Sequence, residues 1–313
     1  VMDGQGRKMS KSLGNTIVPK DIIEKYGADI LRLWVSSVDY REDVRISENI
    51  LQQMSDAYRR IRNTARFLMG NLNDFDYATE KVDYNDMFEI DKWAMHKLEE
   101  LKEKTTEYYD KYEFYNLFQE ITYFCSIEMS SFYLDIVKDR LYCEGPKSLE
   151  RRSAQTVLTE VLKVLVRIIS PVLSFTAEEI WERIPASLKD EESVHLASWI
   201  DPNPAYKNEE LAKKWEKIAH LRKEVNKKIE AQRQEGLIGH SLDARILLNI
   251  TNDDYSFLKD YTEDEVSDLF IVSQTKFVDD ELEKSEIEGI SIGVTKALGK
   301  KCERCWKYSE EVG

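Results

Sequence analysis

From Ser47 to Ile169 apolar residues recur mostly at spacings of three and four, and this helical period most limits what the chain can fold into. The segment "SENILQQMSDAYRRIRNTARFLMGNL" opens on a capping serine, Ser47, and ends near Gly70. In "DKWAMHKLEELKEKTTEYYDKY", Trp93, Leu98, Leu101, Thr105, Tyr108 and Tyr112 form the stripe of an amphipathic helix. A third segment, "FYNLFQEITYFCSIEMSSFYLDIVKDRLY", is apolar and aromatic enough to be central. A fourth runs from about Leu149 to Ile169, and Pro171 breaks it before "FTAEEIWERI". Helices joined by short polar linkers make a bundle. Tyr108, Tyr112, Phe118 and Tyr123 are expected in its core.

Two regions flank the bundle. "VPKDIIEKYGADILRLWVSS" reads as two short helices, with Pro19 in a first turn, Gly27 as the break, and Ile22, Ile23, Ile30, Leu31, Leu33 and Trp34 facing inward. After Trp199, "DPNPAYKNEE" reads as a linker, and a basic helix follows to about Gly236. Beyond it "ARILLNI", "FIVSQTKFV" and "GISIGVTKA" are β-branched runs with a helical segment between the first two, which predicts a small α+β domain. The expected fold is mainly α. Its segments are a lysine loop with two short helices at 1–46, a bundle at 47–200, a basic connecting helix at 201–240, an α+β domain at 241–300 and a metal-knuckle half at 301–313.

Composition excludes some functions. Glu160, Lys163 and Arg167 interrupt the longest apolar run, so it is a buried helix and not a membrane span. A net charge of −14 argues against indiscriminate nucleic-acid binding. Local basic patches remain: Arg59, Arg60, Arg62 and Arg66 in "YRRIRNTAR", and the stretch 213–233. On charge alone either patch reads as a solvated helix face. Cys302 and Cys305 have metal-ligand spacing, whereas Cys125 and Cys143 lie in distant helical sequence; four such cysteines suit a reducing, cytosolic setting.

The stretch "GRKMSKSLGN" carries the most specific chemistry. A triphosphate under attack gathers negative charge, and lysine is a compact cation on a flexible stem. Gly4, Gly6 and Gly14 give the loop mobility, while Ser10 and Ser12 can donate to phosphate oxygens.

"KMSKS" with "LGN" and "DIIEKYGADILRLWVSS" resembles the second signature of the class I aminoacyl-tRNA synthetases. "DYREDVRIS", "YRRIRNTARFLMGNLNDFD", "SPVLSFTAEEIWERIP" and "KCERCWKYSEEVG" resemble the bacterial-type isoleucyl-tRNA synthetases, and the resemblance covers essentially the whole chain. It implies adenylation of isoleucine by ATP with magnesium, then transfer to tRNA(Ile). It implies that Lys8 and Lys11 close over ATP, Lys11 making the essential contact, with Ser10 and Ser12 assisting and Met9 packing the loop in place. Residues 1–46 then become the stem-contact end of a catalytic domain, and the bundle receives the anticodon arm. Backbone contacts fall to Arg59, Arg60, Arg62, Arg66, Lys213, Lys214, Arg222, Lys223 and Lys227. Trp306 is a stacking ring or packs on the knuckle, and Cys302 and Cys305 are two ligands of a four-cysteine structural zinc site.

The family's His-x-Gly-His element is missing, since none of His96, His195, His220 and His240 lies in that context. The chain is therefore expected to be inactive by itself, and it is read as part of a longer protein, cytoplasmic and monomeric. Alternatives are a piece of a valyl or other class I enzyme, or a non-enzymatic helical RNA-binding or scaffold protein.

Overall fold

A computed structural model describes residues 1–312; Gly313, the last residue of the expected knuckle segment, lies outside the described residues. The chain divides into two compact units, residues 1–133 with 145–207, and residues 134–144 with 208–313.

In the first unit Pro19 opens α1 (Pro19–Tyr26), where its fixed φ suits a first turn, and Gly27 separates it from α2 (Ala28–Ser36). Ile22, Ile30, Leu33 and Trp34 are buried, but Ile23, expected to face inward, is exposed and Leu31 only half-buried. On this short helix only a narrow face meets the core, and Ile23, roughly 100° around from Ile22, falls outside it. Ser47 caps α3 (Glu48–Gly70), its hydroxyl accepting from the Ile50 amide at 3.3 Å. After a single turn, α4 (Tyr77–Glu80), comes α5 (Glu89–Asp110), which buries Trp93, Leu98, Leu101 and Thr105. The helix stops short of Tyr112, which takes a left-handed φ of 57° and is 66% exposed, so the expected stripe loses its last member. Then α6 (Phe114–Tyr123) runs into a π-helix, Phe124–Tyr133, and on into α7 (Leu134–Cys143), which belongs to the second unit. Leu117, Ile121 and Phe124 set the inner face of α6. Tyr123 falls on the opposite side and is 52% exposed, again against expectation.

At the centre of the unit is α8 (Leu149–Ile169), capped by Ser148 and buried on nearly every face from Arg152 onward. Its buried polar side chains, such as Arg152 and Gln155, are hydrogen-bonded, and trimming one of its buried leucines to alanine costs about 2–5 kcal/mol. The next helix, α9 (Ser174–Arg183), has Leu173 at its N-cap and so no local side-chain acceptor. Asp29 of α2 supplies one: its carboxylate accepts from the Thr176 amide at 2.8 Å and the Thr176 hydroxyl at 2.6 Å. Arg32 of α2 donates to the carbonyls of Val172 at 2.8 Å and Pro171 at 2.6 Å, which the helical ladder leaves open beyond α8. Arg62 of α3 binds Glu179 of α9 bidentately at 2.5 and 2.7 Å.

The second unit contains α10 (Glu209–Gln234), β1 (Ala244–Ile250), α11 (Glu263–Phe270), β2 (Gln274–Phe277) and β3 (Ile290–Lys296). Sheet order is β2-β1-β3, with β1 parallel to β2 and antiparallel to β3. Along β1, Ala244, Ile246, Leu248 and Ile250 point into the core and alternate with half-buried positions. The helix expected as a connector, α10, packs on β3 and α11 and buries Leu211, Trp215, Ile218, Leu221, Val225 and Ile229. A two-stranded hairpin, β4 (Lys300–Lys301) with β5 (Tyr308–Ser309), ends the described chain. Only glycine fits at its entrance, because a Cβ on Gly299, at φ 87°, would lie 2.2 Å from the Ser309 carbonyl oxygen. Among the described residues no helix is long and apolar enough to cross a membrane.

Arg62, then Arg183, holds the Glu179 carboxyl down at about 2, from its ordinary 4.5. A depressed carboxylate stabilises the fold above its unfolded pKa and loses that contribution as pH falls through the folded value. Glu179→Gln is therefore expected to lower urea-unfolding stability on the order of 1 kcal/mol near neutrality, given that the pair is partly exposed. The deficit should shrink steadily below about pH 4.5, and a pH-independent deficit would contradict the pairing.

Candidate functional site

The lysine loop is built from local hydrogen bonds. Residue Met2 pairs with Lys8 on one side and with Arg45 on the other, its amide donating to Val44 O at 2.7 Å. Asp3, 8% exposed, accepts from the amides of Gln5 at 3.0 Å and Arg7 at 2.9 Å and from Arg7 Nε at 2.9 Å. Asn15 Nδ2 also donates to it at 2.9 Å. These donors, Asn15 first and then the Arg7 amide, hold the Asp3 carboxyl well below the usual carboxylate range. Ser10 caps a single turn, Lys11–Leu13, through the Leu13 amide at 3.3 Å, and Gly14 closes the turn at φ 65°, a conformation glycine adopts without strain. Ser12 Oγ lies 3.1 Å from Ser10 Oγ. Met9 packs against the small apolar cluster of Ile22, Ile30, Trp34, Ile46 and Leu51. Lys8 and Lys11 are exposed, and neither ammonium has a hydrogen-bonding or ion-pair partner among the described residues. The loop thus presents two uncompensated cations from an anchored backbone.

The four arginines of α3 divide. Arg59 pairs with Asp56, and Arg62 is engaged by Glu179 and by the Tyr58 hydroxyl at 3.2 Å. Arg60 and Arg66 are exposed with no side-chain partner among the described residues. In the second unit α10 divides the same way. Lys214 sits over the rings of Tyr261 at 4.7 Å and Phe257 at 5.5 Å. Arg222 is buried against Asp135 at 2.6 Å, and Lys227 lies between Glu224 at 2.7 Å and Glu286 at 2.8 Å. Lys213 and Lys223 remain exposed and unpaired among the described residues.

The terminal hairpin carries Cys302 and Cys305. The Cys302 amide donates to Lys307 O at 2.8 Å, and the Trp306 amide donates to Cys302 O at 3.0 Å. The backbone amides of Cys305 and then Arg304 pull the Cys302 thiol below its ordinary value, which favours the thiolate a zinc ion binds. Two thiols are half of a structural zinc set, and among the described residues no cluster of three or more His, Cys, Asp and Glu could hold a metal. Trp306 is 59% exposed with Lys301 Nζ 5.4 Å from its ring centroid, so it does not pack into the hairpin. Cys143 was distant in sequence but ends α7 beside this hairpin, where Arg304 donates to its carbonyl at 2.5 Å. Lys307 pairs with Asp268, and the Tyr308 amide donates to Ser273 Oγ at 2.7 Å.

Sequence reasoning singled out the loop's lysines and serines but missed Asp3 and Asn15. Their signal was the placement of a short acceptor and a carboxamide next to Gly4 and Gly14, at the two ends of the loop.

Two families match the chain. One, described as the anticodon-binding domain of tRNA ligase, matches residues 91–248, and the other, tRNA synthetases class I (I, L, M and V), matches residues 1–47. The isoleucine–tRNA ligase of Geobacter sulfurreducens is 50% identical over 317 residues, covering 100% of this chain and 34% of that protein. The isoleucine–tRNA ligase of Petrotoga mobilis is 52% identical over 308 residues, covering 98% of this chain and 33% of that protein. The chain therefore spans about a third of the length of these curated relatives. Among solved structures, the leucine enzyme LeuRS of Agrobacterium radiobacter K84, in a ternary complex with tRNA, aligns with a TM-score of 0.47 and 21% identity over 67% of this chain and 24% of that one.

Burial pushes the Cys125 thiol up to about 12. Iodoacetamide at about pH 8 is expected to label Cys302, Cys305 and Cys143 in the native protein and to spare Cys125 until denaturant is added. Native labelling of Cys125, read by peptide mass spectrometry, would contradict its burial.

Proposed function

The chain belongs to the class I tRNA ligases and carries their anticodon-binding domain, and from that premise we propose that it serves an isoleucine–tRNA ligase acting as a cytoplasmic monomer. The whole enzyme joins isoleucine to tRNA(Ile) through an isoleucyl-adenylate, with ATP as its magnesium complex. The reading is supported chiefly by the pair of unpartnered ammonium groups on an anchored, glycine-bounded loop. Its identity as the isoleucine enzyme draws on relatives of that name at about half identity over the full chain.

In this reading Lys8 and Lys11 act on the triphosphate. As isoleucine's carboxylate attacks the α-phosphorus, negative charge builds on the departing pyrophosphate, and the two cations compensate it. Because they have no partner among the described residues, they need break no ion pair to do so. Lys11 begins its own turn and makes the essential contact, Lys8 adds charge, and Ser10 and Ser12 assist through their hydroxyls. Met9 keeps the loop seated.

The bundle and second unit take the RNA. Arg60, Arg66, Lys213 and Lys223 are available for phosphates, whereas Arg59, Arg62, Lys214, Arg222 and Lys227 already face acids or rings and would have to exchange partners. Trp306 offers an open ring for a splayed base. Cys302 and Cys305 would give a structural zinc ion two of its thiolates, which would fix the hairpin that presents this ring.

In the full-length ligase carrying this chain, Lys11→Ala is expected to lower kcat for isoleucine-dependent ATP–pyrophosphate exchange about 10²-fold or more while changing the KM for ATP far less. Unchanged kcat would sink the reading of the loop. The double change Arg60→Ala with Arg66→Ala should weaken tRNA(Ile) binding and flatten the plot of log affinity against log salt by about 1–2 units. An unaltered salt slope would remove these arginines from the interface.

A further inference from the structure

Lys8 and Lys11 are exposed, yet the backbone bearing them is fixed by two side chains to which neither the family match nor the reading above gives a role. Asn15 lies just past the loop, where Gly14 turns the chain back. Its Oδ1 accepts from the Ser10 amide at 2.9 Å, and its Nδ2 reaches the Lys8 carbonyl at 3.4 Å. One carboxamide therefore binds backbone on both sides of Met9. The same Nδ2 donates to Asp3 Oδ2 at 2.9 Å, which sets the amide's orientation, since an oxygen facing that carboxylate would be repelled. Asp3 is itself fixed by Gln5, Arg7 and the turn that they close.

We infer that Asp3 and Asn15 are positioning residues for the lysine loop: the Asp3 carboxylate orients the Asn15 carboxamide, and the carboxamide sets where Lys8 and Lys11 present their charge. The inference rests on the reading of the loop as the element facing ATP. Displacement of a charged group by about 1 Å is enough to cost a large factor in rate. Residues that touch no substrate can therefore limit the chemical step. Asparagine is needed at position 15 because the site requires an acceptor toward Ser10 and a donor toward Asp3 from one planar group.

The test uses the full-length ligase with Asn15→Asp, the exchange double variant Asp3→Asn with Asn15→Asp, and Lys11→Ala as the reference. Asn15→Asp keeps the acceptor but sets two carboxylates against each other. It is expected to lower kcat for isoleucine-dependent ATP–pyrophosphate exchange about 10- to 100-fold, with the KM for ATP, the affinity for tRNA(Ile) and the melting temperature close to those of the parent. In the double variant the amide placed at position 3 donates to the carboxylate placed at position 15, whose other oxygen still accepts from Ser10, while Arg7 Nε and the Lys8 carbonyl lose their partners, so part of the lost kcat should return. A general folding defect would not be repaired by this exchange. If Lys11→Ala is impaired while Asn15→Asp keeps full kcat, the inference is overturned and the reading of the loop stands. A double variant no faster than Asn15→Asp overturns the inference as well. Full kcat in Lys11→Ala overturns the reading of the loop and this inference with it.

Discussion

The Asp29 carboxylate at the start of α9 is the interaction on which the first unit most depends. A buried carboxylate is costly unless its lone pairs are met, and Asp29 meets its own by serving as the N-cap that α9 lacks. Loss of such a cap costs about 0.5–2 kcal/mol in an ordinary helix, and here it also leaves buried amides unpaired. The contact fixes the spacing of α2 and α9, which lets Arg32 reach the carbonyls after α8. It also places Thr176 within 3.0 Å of the Tyr58 hydroxyl, beside the pairing of Arg62 with Glu179. Met9 of the lysine loop rests on a neighbouring cluster made by α1, α2, Ile46 and the start of α3.

Ion pairing decides which cations remain for a ligand. The chain carries 59 acids against 45 lysines and arginines, so most basic side chains find an acid nearby. Exposed pairs of this kind contribute about 0–1 kcal/mol each, too little to explain the fold but enough to screen a cation from a phosphate. The bidentate grip of Glu179 on Arg62 and the burial of Arg222 against Asp135 are stronger, and they make these two arginines parts of the framework. Lys8, Lys11, Arg60, Arg66, Lys213 and Lys223 differ in having no such neighbour among the described residues.

Features set by short-range chemistry were legible in the sequence. Ser47 before an apolar period gave the start of α3, Pro19 and Gly27 bracketed α1, and β-branched runs marked the three-stranded sheet. Features that depend on partners distant in the chain were not legible. Arg62 meets Glu179 across 117 residues and Arg222 meets Asp135 across 87, so a basic run in sequence could not reveal which of its charges were already paired. Tyr112 and Tyr123 fit a helical stripe in composition, but one lies past the helix end and the other opposite its inner face. Cys143 illustrates the same limit, since only the fold brings the end of α7 to Arg304.

The site's local charges favour a clamp of the kind formed by Asp3 and Asn15. A loop meant to deliver cations to a triphosphate needs a fixed backbone, and the strongest ready fixings, carboxylates bound to lysines, would neutralise the groups being delivered. Asp3 avoids that outcome because its charge is answered by Arg7 Nε and by backbone amides, leaving little field to draw Lys8 or Lys11 inward. Asn15, uncharged, then carries the fixing force across to Ser10 and Lys8 through its amide alone. A neutral side chain between a satisfied carboxylate and two unsatisfied ammonium groups can hold the backbone while leaving the cations free for phosphate.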